Sequence, residues 1–460
     1  MQQDPPTTSR TPPHGEVRRL LTLAAPLIIN NLALAGMGLA DTVMAGRGLG
    51  AAALAAVAVG SSAWFLFFFI PLGILTAISP IGARYIGAGQ PTLIGRYLRQ
   101  GGYLSQVIAA FIMAVIWFGA APTLTAIGID PEFRHLTVDY LRAIIWGAPA
   151  ICAYLVLRYT TEATGYTLPV MLVTIVSLVV NVIGNYAFMF GNFGAPALGA
   201  AGAGVASAIT MWAMFLLMLG YMVWNPRYRQ YELFVASRGP SWPELREIVV
   251  IGVPIMVSIV AEAGLFSAVS MLMGRLSANI AAAHQIAMNY ATFMFMVPLG
   301  LNGATTILVG QAIGQSDLAL ARSRGFRGIV LCGAFMAVSA AVLLLFRDGI
   351  VSLYTSDPDV QAVALTLLLV AAVFQISDGI QVGASGALRG LQDTQVPMYL
   401  TTVAYWGIGF PLAYVAALVL RWSPAMIWCG LVVGLTCSAV ALIVRFNWSS
   451  GALERLRAAG

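Results

Sequence analysis

Twelve apolar runs, each long enough to cross a bilayer, leave this chain one class of fold. They lie at about Leu20–Ala45, Ala51–Ile81, Tyr97–Pro122, Leu136–Leu157, Leu168–Phe190 and Ala200–Trp224. A second set follows at about Ile248–Met273, Ala281–Ile313, Gly328–Phe346, Val360–Ala387, Val396–Leu420 and Pro424–Phe446. A transmembrane helix needs about 20 mostly apolar residues, because its backbone must be satisfied internally where no water reaches it. With 9% charged and 59% hydrophobic residues over 460 positions, the chain reads as an all-α, polytopic membrane protein.

The second set of runs repeats the first. Pro26 and Pro254, Pro169 and Pro397, and Tyr186 and Tyr414 are each 228 residues apart. The Pro-Leu-Gly of Pro71–Gly73 recurs at Pro298–Gly300, the Asp-Pro-Glu of Asp130–Glu132 as Asp357–Asp359, and Ile86–Gly87 as Ile313–Gly314, all offset by 227. Register held over six helices implies a duplicated protein. Six is even, so both halves insert the same way, as two six-helix lobes related by a pseudo-twofold along the membrane normal. Secondary transporters of parallel repeats place their sites between such halves.

The loops set the orientation. All 24 basic residues are arginine; with the N-terminus inside, only Arg47, Arg134, Arg142, Arg275, Arg347 and Arg421 face outward. The positive-inside rule therefore puts both termini in the cytoplasm. Residues 1–16 are polar and Pro-rich, without the apolar core of a signal peptide, and are expected to form a disordered tail. The remaining boundaries are a first lobe over 17–224, a cytoplasmic linker over 225–247, a second lobe over 248–446 and a tail over 447–460. The net charge of +6 is spread over short loops, which does not suggest nucleic acid.

Polar residues inside the spans are the candidates for function. Glu262 follows Pro254 in the phrase IGVPIMVSIVAEAG and lies roughly 20 Å along its helix from Glu247, near mid-bilayer. A carboxylate there costs ~3 kcal/mol on insertion scales and marks an ion or substrate pathway. Asp378 lies 11 residues, roughly 16 Å, from Arg389. Gln375, Gln381 and Ser385 share or adjoin its face. Internal salt bridging is the alternative for Asp378, but no span offers a basic partner at that depth, and both acids are expected to lack an arginine. Protons or cations must then satisfy them. Burial favours the neutral form of a carboxyl and a nearby cation the ionised one, so such a site exchanges H⁺ or Na⁺ for a cationic substrate.

In the first half, Asp41 sits about four residues from the outer end of its span and either snorkels to water or packs inward beside Gly36 and Gly38. Asn181 and Asn185 share one helix face, and Ser207 and Thr210 lie among small residues. These four either pack between helices or join Asp41 in a polar pocket. His284, Gln285 and Tyr290 are polar positions near the start of the eighth span, ahead of and within a Met/Phe stripe from Met288 to Met296. Such a stripe packs a core or lines a cavity for varied ligands. The four cysteines lie within spans without metal spacing and read as packing residues, and the three histidines form no HExxH-type site. No P-loop or GxSxG is present, so neither bound ATP nor catalysis is expected.

The phrases Asp-Thr-Val-Met-Ala-Gly from Asp41, Pro-Leu-Gly in the second and eighth spans, Val309–Gly314 and Gly386–Thr394 resemble the multidrug and toxic compound extrusion (MATE) family, in its NorM-type branch. The resemblance covers Val17 to Trp448. It implies a V-shaped pair of lobes that alternates between inward- and outward-facing states and exports cationic, often aromatic compounds against entering Na⁺ or H⁺. It further implies a bacterial inner-membrane protein, here expected to be a monomer in the lipid bilayer, with no cofactor beyond the coupling ion. Glu262 and Asp378 match the family's second-lobe cation-binding acids, the Na⁺ ligands if sodium couples. Asp41, Asn181 and Asn185 match its first-lobe cluster, and Ser207 stands where a Thr is common. Phe374 occupies a position where relatives often carry a Tyr, which removes a hydroxyl from the second-lobe site. A lipid-linked oligosaccharide flippase of the same superfamily fold is the alternative. It would need several basic residues in the central cavity, where the candidates here are acidic.

Overall fold

The computed structural model describes residues 13–233, 239–420 and 422–458, with side chains from 15 to 452 within those ranges. Among the described residues, twelve helices are long and apolar enough to span: α1 (Gly15–Gly48), α2 (Ala51–Gly87), α3 (Thr92–Ala126), α4 (Pro131–Ala163), α5 (Leu168–Phe190), α6 (Ala200–Trp224), α7 (Trp242–Leu276), α8 (Ala278–Gly314), α9 (Leu318–Tyr354), α10 (Pro358–Gly390), α11 (Gln395–Val419) and α12 (Pro424–Ala452). No strand occurs among the described residues.

Three boundaries differ from the sequence expectation. The first helix begins at Pro13, so the last residues of the expected tail are helical, while 1–12 lie outside the described range. Helix α7 begins at Trp242, inside the expected linker, which also contains a 3₁₀ turn at Pro226–Tyr231; residues 234–238 lie outside the described range. The last helix runs on through the second expected tail to Ala458.

Local chemistry explains where the helices start and bend. The repeated Asp-Pro motif caps two equivalent helices. Asp130 accepts from the Glu132 amide at 2.9 Å to start α4, and Asp357 from the Asp359 amide at 2.9 Å to start α10. Proline follows each cap, where its missing N–H costs nothing. Within α4 a 3₁₀ turn at Ile145–Gly147 precedes Pro149, which cannot donate to the Ile145 carbonyl. Helix α11 widens into π turns at Val403–Gly409 and Val415–Val419 on either side of Pro411, whereas its repeat partner α5 is regular throughout.

Each lobe has its own apolar core, and a third cluster joins them. Across the lobes α1 packs on α8 and α2 on α7, one contact generated twice by the repeat, while the end of α2 crosses α8. A side chain at Gly73 would overlap the Met256 backbone, and one at Gly300 would crowd that of Ile28. The repeat relates 73 to 300 and 28 to 256, so the Pro-Leu-Gly motif marks two symmetric places where helices of opposite lobes approach closely.

These contacts lie toward the face at which α1 and α7 begin, here called proximal. Polar pairs on that face obey the same symmetry. Arg324 of α9 holds Glu16 of α1 through bonds of 2.7 and 3.2 Å, and Arg96 of α3 holds Glu244 of α7. Arg84 of α2 pairs with Glu247 of α7 at 3.0 Å, and Arg19 of α1 with Gln311 of α8 at 3.2 Å. Positions 16 and 244, 19 and 247, and 96 and 324 are 228 apart, and 84 and 311 are 227 apart. Among the described residues, no hydrogen bond or ion pair joins the lobes in their distal halves. The lobes are latched at one face only.

Candidate functional site

Helical periodicity directs three stripes into one cavity of about 400 Å³ within the second lobe. Ser258, Glu262 and Phe266 recur every fourth residue along α7, and Asp378, Gln381, Ser385 and Arg389 form a column along α10. Met288, Thr292, Phe295 and Met296 of α8 supply the apolar wall, so the Met/Phe stripe lines a cavity. Phe69 and Leu72 of α2 border it from the first lobe.

The two acids share this space without protein ligands. Glu262 is half-buried and makes no hydrogen bond or ion pair among the described residues. Asp378 is buried, and its enclosed Oδ1 has no partner. Gln381 Oε1 and the Tyr405 hydroxyl, also on the cavity wall, are likewise buried and unpartnered. Each such atom costs about 1–3 kcal/mol unless something satisfies it. A carboxylate, an amide oxygen and a hydroxyl facing one cavity suit a proton or a hard cation. Among the described residues no three His, Cys, Asp or Glu side chains converge as a metal cluster.

Arg389 corrects the expectation that both acids lack an arginine. It lies in α10 rather than in a loop and lines the same cavity, with Glu262 and Tyr159 as its electrostatic neighbours. Its guanidinium forms no ion pair or hydrogen bond among the described residues. The signal was present in the sequence: 11 residues are close to three full turns, which sets Arg389 beneath Asp378 on one helix face. Tyr405 was missed because it comes from a π turn of α11, whose face cannot be read with an α-helical period. Phe374 packs edge-on between Phe266 and Trp428, with centroids 5.8 and 5.4 Å away.

The first lobe gathers a second cluster. Asp41 Oδ1 accepts from Asn185 Nδ2 at 2.6 Å, and Oδ2 from the Ser207 hydroxyl at 3.3 Å. Asn185 also reaches Asn181 Oδ1 at 3.4 Å. Asp41 therefore packs inward rather than snorkelling. Thr210 is buried beside the cluster but donates to its own helix at Ala206 O, 2.8 Å away.

The remaining candidates lie elsewhere. Gln285 is on an exposed face, bonded to Asn289 at 2.9 Å, and does not line the cavity. Tyr290 donates to Ser339 O at 3.1 Å, and the Ser339 hydroxyl donates to Gln375 Oε1 at 2.9 Å, a buried chain off the cavity wall. His284 Nδ1 accepts from the Trp428 indole at 3.0 Å while Nε2 contacts the Ser270 hydroxyl at 2.9 Å. The neutral tautomer with its proton on Nε2 satisfies both contacts, so this histidine is a packing residue.

The MatE family profile matches residues 26–187 and again 254–415, so each half carries one copy at an offset of 228. The "Probable multidrug resistance protein NorM" of Xanthomonas campestris pv. campestris is 40% identical over 436 residues, 95% of each chain. The chain belongs to the MatE family. The "Multidrug resistance protein PmpM" of Pseudomonas aeruginosa is also 40% identical, over 95% of this chain and 92% of its own. A solved structure described as the outward-facing conformation of a multidrug resistance MATE family transporter of the MOP superfamily aligns with a TM-score of 0.87 at 20% identity. That alignment covers 99% of this chain and 100% of the other, so the described residues share that transporter's fold in both lobes. As a MatE member the protein is a transporter and not an enzyme.

Proposed function

We propose that this MatE protein exports cationic, often aromatic small molecules from the cytoplasm in exchange for Na⁺ or H⁺. The observation that carries this reading is the second-lobe cavity, where Glu262 and Asp378 share an apolar-walled space and neither has a protein ligand. The relatives named as multidrug resistance proteins support the direction and breadth of transport. The arginine distribution supports placing the proximal face in the cytoplasm of a bacterial inner membrane. The latched lobes then correspond to an outward-facing state of a multi-pass monomer.

An ion entering from outside neutralises the second-lobe carboxylates, with Gln381 and Tyr405 as further oxygen ligands. Cationic substrate replaces it when the cavity opens inward. Asp41, held by Asn185 and Ser207, offers a second negative site. Three acids and the Arg389 cation leave two negative charges, enough for two monovalent ions per monovalent substrate. Exchange of that kind is electrogenic, and 100 mV contributes about 2.3 kcal/mol per net charge. A flippase for pyrophosphate-linked sugars fits less well, since one arginine, Arg389, lines this cavity with three carboxylates, Glu262, Asp378 and Asp393. The test is ethidium efflux from proteoliposomes with Na⁺, pH and electrical gradients imposed one at a time. At least one ion gradient and an inside-negative potential should each drive export. Dye movement indifferent to all three contradicts the reading.

A further inference from the structure

The duplicated latch is complete in one copy and lacks a charge in the other. On one side Arg84 meets the carboxylate of Glu247; on the other, Arg19 meets only the neutral amide of Gln311. The repeat equates Glu247 with Arg19 and Arg84 with Gln311, so the exchange of residue types has left the Arg19 guanidinium without a bonded carboxylate among the described residues. Arg19 and the adjacent Arg18 line a pocket of about 370 Å³ with Thr22, Thr164 and Gln311. No carboxylate lines it among the described residues. Glu16, the nearest acid along the helix, is buried and held by Arg324. Arg18 is exposed, and its side chain has no partner among the described residues. A third guanidinium, Arg227, stacks 4.6 Å from the ring centre of Tyr166, beside the pocket residue Gly165.

Apolar surface adjoins these cations. Leu21 of α1 and Leu168 at the start of α5 are both exposed. Guanidinium groups at a helix end flanked by exposed leucines match a phospholipid headgroup with its acyl chains alongside. Arginine binds phosphate oxygens through paired N–H groups, and basic pockets between transmembrane helices hold anionic headgroups on the cytoplasmic side.

We propose that this pocket binds the phosphate of an anionic phospholipid, which supplies to Arg19 the negative charge that Glu247 supplies to Arg84. The inner leaflet as its source rests on the cytoplasmic placement of this face proposed above; the binding itself does not depend on transport. Arg19 belongs to α1 and Gln311 to α8, so the bound phosphate bridges the lobes and favours the latched state over one in which they part at this face. A ligand that prefers one state shifts the population toward it.

The test uses full-length protein in phosphatidylcholine nanodiscs with and without phosphatidylglycerol, reading bound lipid by native mass spectrometry and stability by thermal unfolding. Phosphatidylglycerol should bind and raise the unfolding temperature, whereas phosphatidylcholine alone should do neither. Gln311→Glu rebuilds the ion pair of the twin site. It should weaken phosphatidylglycerol binding about tenfold without lowering the unfolding temperature in phosphatidylcholine. Arg18→Gln with Arg19→Gln should weaken it at least as much. Phosphatidylglycerol binding unchanged in both variants overturns the proposal. Inorganic phosphate that protects the protein and displaces the lipid would reassign the pocket to a free anion and also overturn the lipid assignment. Neither readout uses dye efflux, so failure of the export reading would not be mistaken for failure here.

Discussion

Tyr405 stands where it can act on both second-lobe acids, since its buried hydroxyl faces Gln381 and lies within electrostatic reach of Glu262 and Asp378. Its position in α11 offers a replacement for the hydroxyl that Phe374 lacks. A hydrogen bond to a charged group contributes about 1.5–3 kcal/mol. Tyr405→Phe is therefore expected to raise the half-saturating concentration of the coupling ion about tenfold in efflux assays while the protein still reaches the membrane. Unchanged half-saturation would put the hydroxyl outside the ion site. In the first lobe, Asp41→Asn should impair export more than Asn181→Ala. A carboxylate can change its charge during the cycle, whereas an amide only hydrogen-bonds. Equal effects in side-by-side efflux measurements would make the Asp41 cluster structural. Glu262, Asp378 and Asp41 were legible in the sequence because charge inside an apolar run is conspicuous. Arg389 was legible only by counting turns, and its closeness to a helix end disguised it.

Periodicity within single helices carried most of what could be read. The stripes of α7, α8 and α10 follow from α-helical spacing, so their convergence needed only the packing to be known. Gln285 and Tyr290 show the limit of such reading. Five residues apart, they point to different surroundings, one exposed and one buried against Ser339. The repeated Asp-Pro motif was visible as a landmark before its role as a helix cap was known. Removing either cap, by Asp130→Ala or Asp357→Ala, should cost about 1 kcal/mol. Thermal unfolding is expected to show similar losses for the two, with Ser restoring most of each. A silent Ala substitution would mean that the proline alone sets the helix start. Helix α11 is where sequence reading was weakest, because two π turns shift its faces relative to the regular α5.

At the scale of the whole molecule, duplication governs both the fold and its motion. The offset of 227 or 228 residues in the sequence reappears as paired close approaches at Gly73 and Gly300 and as paired ion contacts at Glu16 and Glu244. Neutralising both latch acids, by Glu16→Gln with Glu244→Gln, should shift the population toward a state open at the proximal face. Spin-label distances across that face are expected to lengthen and those across the distal face to shorten; unchanged distributions would show that apolar packing alone holds the lobes. Charge in the second-lobe cavity should then couple this motion to export. The direct measurement is gradient-driven ethidium efflux from proteoliposomes, comparing the native protein with Glu262→Gln and Asp378→Asn at equal incorporation. The account predicts that each neutral variant falls to the background of empty vesicles. Near-native efflux by either one would contradict it.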